Sequence, residues 1–399
     1  MSEWREVSLG EMLTLQRGFD LPARDRTEGP FPIVSSSGVT GWHAESKVAP
    51  PGVVIGRYGS LGSVHWVTEP FWPLNTSLWV KDFGGNDERF VSYLLKTVSV
   101  DGSTASAVPG VNRNHLHRLP VRRPPVHAQR RIAAVLSAFD ELIEISERRI
   151  EVLENLARSL YREWFERLRF PGHEEVDIVQ PGLGRIPADW RMTPLGDAAA
   201  SLVDGDWIET KDQGGRSYRL LQVSNIGVGA FRETGKFRYI DKATFERLRC
   251  TEVELGDILI SRMPDPIGRA WLVDRLGEPA ITAVDVAILR PPSRTVGVYL
   301  SYWLNSLRAL AHAAAVATGT TRKRISRTAL GRASIPLPPE RLVEMFAAAL
   351  EPMLAERTAV LQTVDRLAAT RDLLLPRLVT GRLDISHIDL GELLPPEPA

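Results

Sequence analysis

The sequence predicts an α+β fold: two repeated α/β globular domains joined by two long antiparallel coiled-coil helices, with an approximate twofold relating the copies. Three observations predict it. The chain is written twice, each copy ends in a proline pair, and a heptad pattern follows each proline pair.

The repeat starts where "WREVSLGEML" from Trp4 returns as "WRMTPLGDAA" from Trp190. "PGVVIGRYGSLGSVHWV" at residues 51–67 is echoed by "GDILISRMPDPIGRAWLV" from Gly256, with Ile55, Gly56 and Arg57 matching Ile260, Ser261 and Arg262. "FVSYLL" at Phe90 becomes "YLSYWL" at Tyr299, each reading as the opening of a short amphipathic helix. "NRNHLHRLPVRRPP" at Asn112 matches "SRTALGRASIPLPP" at Ser326, which aligns Arg113 with Arg327 and Leu116 with Leu330.

The glycines of the 51–67 stretch, Gly56, Gly59 and Gly62, raise the possibility of a phosphate-binding loop. A β-rich strand follows them where such a loop needs a helix. The second copy also replaces the turn with Pro264, Asp265 and Pro266, residues that serve a hairpin turn but not a phosphate cradle. Both stretches are therefore read as β-hairpins.

After the first proline pair, Ile132, Leu136, Phe139, Ile143, Ser146, Ile150, Leu153, Ala157, Leu160 and Trp164 alternate four and three apart. At 1.5 Å per residue, about 40 residues make a rod of roughly 60 Å. The second seam runs Phe346, Leu350, Met353, Arg357, Val360, Val364, Leu367, Arg371, Leu374 and Leu378; two arginines sit on it, and Pro352 should kink or delay it. Neither narrow stripe is satisfied alone, so the helices are expected to pack on each other, antiparallel, with the globular domains at opposite ends. The resulting organisation is domain 1 over 1–125, helix over 126–170, a Gly/Pro-rich linker over 171–189, domain 2 over 190–338, helix over 339–381, and a tail over 382–399 expected to be poorly ordered beyond its first residues.

Composition is that of a soluble globular protein, 43% hydrophobic and 25% charged, with a formal net charge of zero. The single cysteine, Cys250, excludes an intramolecular disulfide and a multi-cysteine zinc site. With no charged-then-apolar leader and no long apolar run, a cytoplasmic protein is expected. Charge is unevenly placed: no acid occurs between Asp101 and Asp140 or between Asp285 and Glu340, and arginines crowd both tracts, which suggests two anion-facing surfaces.

Catalytic motifs are missing. Gly235 and Lys236 in "GAFRETGKF" only approximate a phosphate loop, and neither a His-Glu-x-x-His pattern nor a Gly-x-Ser-x-Gly elbow occurs. "RPPV" and "RPPS" lack the flanking residues of an amino-methyltransferase tetrapeptide. His115 and His117 have Ala329 and Gly331 as counterparts and read as surface histidines rather than metal ligands. Trp66, Trp72 and Trp79 read as core, whereas Trp42, in the polar "SSSGVTGWH", is a candidate for base contact.

With the repeats, proline pairs and heptads in place, the chain resembles the DNA-specificity (S) subunits of type I restriction-modification systems. "RPPVHAQRRIAAVLSAFDELIE", "LARSLYREWF" and "LLLPRLVTGRLDI" carry the resemblance most specifically. Ala128 before Gln129, and Glu340 followed by Arg341, depart from the Glu-Gln pair usual in that family.

The resemblance implies two target-recognition domains, each reading half of a split sequence in double-stranded DNA, and a helical spacer. It also implies binding of two methyltransferase (M) subunits and of motor-nuclease (R) subunits, on which S-adenosylmethionine, ATP and magnesium would reside. The chain itself is expected to be noncatalytic and to hold no cofactor or metal. Arg57 and Tyr58 beside the first hairpin, and Asn112, Arg113 and Asn114 in the first basic tract, are the expected DNA contacts of domain 1. In domain 2 they are Arg262 and the run Thr320, Thr321, Arg322, Lys323 and Arg324. The alternative is a two-headed protein-interaction scaffold whose basic faces bind acidic partners.

Overall fold

The computed structural model describes residues 4–98, 111–179 and 185–391. The chain forms two compact units, one of residues 1–147 with 362–399 and the other of 148–361.

The first unit has a four-stranded antiparallel sheet in the order Thr14–Arg17, Ser77–Asp82, Gly52–Gly56, Val64–Val67. A three-stranded sheet follows the order Gly38–His43, Phe31–Ser35, Trp72–Pro73, and a two-stranded ribbon joins Arg5–Ser8 to Pro120–Arg123. The second unit repeats this set. Its four-stranded sheet runs Ser201–Val203, Val286–Arg290, Ile258–Ser261, Ala270–Leu272; its three-stranded sheet runs Tyr239–Ile240, Tyr218–Leu221, Ala280–Thr282; its ribbon joins Arg191–Pro194 to Ser334–Leu337.

Both glycine-bearing stretches are hairpins. Ile55 pairs with Val64 and Gly52 with Val67, and Ile260 pairs with Ala270 in the second unit. The strand Gly52–Gly56 is buried along its whole length, which explains its unbroken apolar run.

A first long helix spans Val126–Tyr161 and continues into a π-helical turn at Arg162–Glu166; a second spans Glu340–Val379 without interruption at Pro352. All the seam positions expected in both helices are buried or half-buried. In the first unit the start of one helix meets the end of the other: Asp140 accepts from Arg371 at 2.8 Å, and Arg131 upstream donates to the Ile385 carbonyl at 3.0 Å. In the second unit Arg357 pairs with Glu154 at 2.9 Å, and the Tyr161 and Phe346 rings lie 6.1 Å apart. Each unit thus contains an antiparallel helix pair.

The seam arginines are matched across these pairs. Arg371 meets Asp140, and Arg357, 8% exposed, lies between Glu154 and Asp274. Burial opposes ionisation of Asp140, but hydrogen bonds from Tyr93 and Arg371 outweigh it and hold the carboxyl below its ordinary range.

The ends of the helices are docked by the repeated tryptophans. Trp190 is buried against Phe165 and Phe170, and the Trp4 ring lies so close to Gly381 that a side chain there would meet it at 2.9 Å. Two segments are more tied down than their composition suggests. Within 171–189, Ile186 is buried and pairs with Val179 in a short ribbon. Beyond Val379, Ile385 and Leu390 are both 7% exposed, while 392–399 lie outside the described residues. No helix among the described residues is long and apolar enough to cross a membrane.

Candidate nucleic-acid interface

Each unit builds its candidate surface at the turn of its hairpin. The Arg57 N–H donates to the Thr76 carbonyl at 3.0 Å, and the Arg57 carbonyl accepts from the Val111 N–H at 3.0 Å. The Arg262 N–H donates to the Asp285 carbonyl at 2.9 Å, and the Arg262 carbonyl accepts from the Ile325 N–H at 3.0 Å. The aligned arginines therefore occupy one backbone position, stapled on both sides in the same way.

Their side chains differ. The Arg57 guanidinium rests over the Tyr58 ring, 4.6 Å from its centroid, and both residues are half-exposed. Arg262, expected to reach DNA, is instead 5% exposed. It donates to the carbonyls of Ile325 at 2.9 Å and Val284 at 3.2 Å and pairs with Asp204. Burial pulls its guanidinium below the ordinary value, and the charge of Asp204 opposes that pull. Arg262 thus holds its own domain together, and its donors face inward.

Downstream of each staple comes a short capped helix. Asn112 caps Arg113–His117, its side-chain oxygen accepting from the Asn114 N–H at 2.9 Å, while Arg113 and Asn114 are exposed. Asn112 is committed to capping through that oxygen. His117 accepts from the Leu15 N–H at 3.0 Å, and burial, with Arg113 nearby, lowers its pKa; it serves as a neutral acceptor in the domain. No cluster of His, Cys, Asp or Glu among the described residues has the arrangement of a metal site.

The basic run of the second unit forms the tip of a tight loop. Thr318 and Arg324 bond in both directions, at 3.0 and 2.8 Å, so residues 319–323 project between them. Gly319 has φ +114°, and a side chain there would meet the Arg322 carbonyl at 2.4 Å, so the loop requires glycine. Thr320, Thr321, Arg322 and Lys323 are exposed. Arg324 is half-buried and pairs with Asp285 at 2.7 Å, and Ile325 is fully buried beneath the loop. The structure brings the four exposed tip residues together and assigns Arg324 to the base of the loop. In the first unit the residues ahead of Val111, 99–110, lie outside the described residues.

Sequence reasoning missed Trp207, which is 69% exposed beside a cavity of about 570 Å³ that Lys211, Arg238 and Asp285 also line. Asp285 joins this cavity to the loop through Arg324. The available signal was a tryptophan flanked by acids in "DGDWIET". Trp42 is 52% exposed, as its polar surroundings suggested, and Trp72 is buried at 7%.

Residues 1–155 match the family model of the type I restriction modification DNA specificity domain. Among curated relatives, the specificity subunit of type I restriction enzyme MjaIX from Methanocaldococcus jannaschii is 24% identical over 310 residues, covering 75% of this chain and 70% of that protein. The MjaVIII specificity subunit of the same organism is 25% identical over 197 residues, 48% of this chain; the match spans less than half of that relative, 45%. Among solved structures, the S subunit of a type I restriction-modification system from M. genitalium aligns over 96% of this chain and 97% of its own at 14% identity, with a TM-score of 0.56, a likeness of fold.

Proposed function

We propose that the chain is a member of the family of type I restriction-modification DNA specificity subunits, the sequence-reading, noncatalytic subunit of such a complex, with one recognition domain per half of a bipartite target. One observation carries this reading. The unit containing most of the matched specificity domain recurs in the second unit strand for strand and staple for staple, so one chain presents two related but unequal surfaces.

Tyr58, Arg57, Arg113 and Asn114 in the first domain, and Thr320, Thr321, Arg322 and Lys323 in the second, are the proposed DNA contacts. Arginine and lysine position the backbone, and the hydroxyl and amide side chains are suited to base edges. Two M subunits and R subunits are the proposed partners, working in the cytoplasm and carrying S-adenosylmethionine, ATP and magnesium. The first long helix leaves Leu142 and Ile145 more than half exposed in the first unit, and Val152 and Leu156 in the second, in each case apolar side chains suited to a partner helix.

The test is a genomic map of adenine methylation with and without this gene. A bipartite motif that vanishes with the gene is the expected result, and an unchanged pattern would overturn the reading.

A further inference from the structure

Matched strand pairing gives a residue-by-residue correspondence between the two units. Val54 pairs with Trp79 as Leu259 pairs with Ile288, and Gln16 pairs with Trp79 as Val203 pairs with Ile288. The next residue is Arg17, the last of its edge strand, in the first unit and Asp204, just past the end of its edge strand, in the second. Thr76 corresponds to Asp285 through the staples, and Arg113 to Arg327 as the first residue of each capped helix.

In the second unit Asp204 is a bridging anion. One carboxylate oxygen pairs with Arg262 and the other lies 3.6 Å from Arg327. Asp285 adds a second carboxylate, paired with Arg324. The first unit keeps both bridged arginines, as Arg57 and Arg113, but has a third arginine in place of the bridge and a threonine in place of Asp285. The matched positions therefore lose both of their acids. Among the described residues Arg17 has one ion contact, with Asp20 at 3.7 Å, and both side chains are more than half exposed, a pair of little energetic value. Among the described residues no carboxylate pairs with Arg57 or Arg113.

Positions that in the second unit bring two guanidinium groups onto one carboxylate carry three guanidinium groups in the first, with no acid at the matched positions to neutralise them. We propose that Arg17, Arg57 and Arg113 together hold one backbone phosphodiester of DNA in the place that the Asp204 carboxylate takes in the second unit. This rests on the reading of the chain as a DNA-binding subunit and adds to it Arg17 and a shared ligand. Arginine suits the role because its planar fork meets phosphate oxygens in pairs and keeps its charge at any working pH. The first domain then anchors through the phosphate backbone at its hairpin, while the second, internally neutralised there, engages through its loop tip.

The test is a salt titration of the full-length chain binding a mixed-sequence DNA duplex, followed by fluorescence anisotropy. Arg17→Ala, Arg57→Ala and Arg113→Ala should each reduce the slope of log affinity against log salt by about 0.9. The wild-type advantage over each variant should then shrink about 3.5-fold between 50 and 200 mM salt. Arg17→Asp supplies the internal anion of the second unit and should reduce the slope by about 2.7 without lowering the thermal midpoint. Arg24→Ala, an exposed arginine outside the set, should leave the slope unchanged. Wild-type slopes in all three alanine variants would overturn the proposal while leaving DNA binding intact. So would a thermal midpoint that inorganic phosphate raises in the wild type but not in Arg57→Ala, with unchanged DNA slopes, which would mark a free-phosphate site. Absence of wild-type DNA binding would overturn the DNA-binding reading and the proposal together.

Discussion

Replacing Arg262 by alanine should destabilise the second unit, although the matched change at Arg57 should not destabilise the first. Arg262 is 5% exposed, pairs with Asp204 and donates to the carbonyls of Ile325 and Val284. Breaking a buried ion pair from one side costs about 3–5 kcal/mol. The Asp204 side chain is 37% exposed and keeps Arg327, so the lower end, about 3 kcal/mol, applies. For a domain of 150–250 residues, each kcal/mol is worth about 2–4 °C, giving a fall of roughly 6–12 °C in the unfolding transition of that unit. Arg57 is half-exposed and without a carboxylate partner among the described residues, so its alanine variant should stay within about 0.5 kcal/mol of wild type. Scanning calorimetry of both full-length variants decides the matter. Equal shifts, or a fall of less than about 2 °C for Arg262→Ala, would refute the assignment of one arginine to the interior and its counterpart to the surface.

Two further outcomes follow from the second unit. Burial lifts the Asp206 carboxyl to about 6, against hydrogen bonds from the Thr251 N–H and the Cys250 thiol. A folded-state value above the unfolded one means that this carboxyl favours folding at low pH and loses that contribution as pH rises through about 6. Asp206→Asn should therefore raise the thermal midpoint more at pH 8 than at pH 4, and the opposite order would contradict the assignment. Gly319→Ala forces a side chain into a positive-φ position against the Arg322 carbonyl, at a cost of about 1–3 kcal/mol. It should weaken DNA binding by the full chain while circular dichroism stays native; Gly235→Ala, which carries the same positive-φ strain but whose new side chain meets nothing within 4 Å, should leave binding unchanged. Equal affinity in both variants would remove the loop from the interface.

The helices were legible because a heptad is a statement about burial, and every seam residue is buried or half-buried as the spacing requires. What spacing could not supply was the partner of each misplaced charge. Arg357 and Arg371 read as defects in an apolar stripe until Glu154 and Asp140 are seen opposite them. Those acids lie on the other helix, far away in sequence, and only the antiparallel register brings them across. Pro352 was likewise legible as an obstacle but not as one the helix absorbs: it sits on an exposed face, as does Ala348, whose carbonyl loses its helical donor and is left to solvent.

The candidate interface was legible to the level of position and no further. Aligning the repeats put Arg57 and Arg262 at one backbone site, and matched staples to Thr76 and Asp285 hold them there. Residue type alone then suggested the same role for both. Their fates diverge where the residue after the matched edge-strand position is Arg17 in one copy and Asp204 in the other: Arg262 is drawn inward onto the Asp204 carboxylate, whereas Arg57 has no matched acid and rests half-exposed over Tyr58. A duplicated scaffold can thus fix where a basic side chain begins while a single exchanged charge at the end of a neighbouring strand decides whether it braces the protein or stays half-exposed. Specificity can diverge between the two units by that route without disturbing the sheet that positions both arginines.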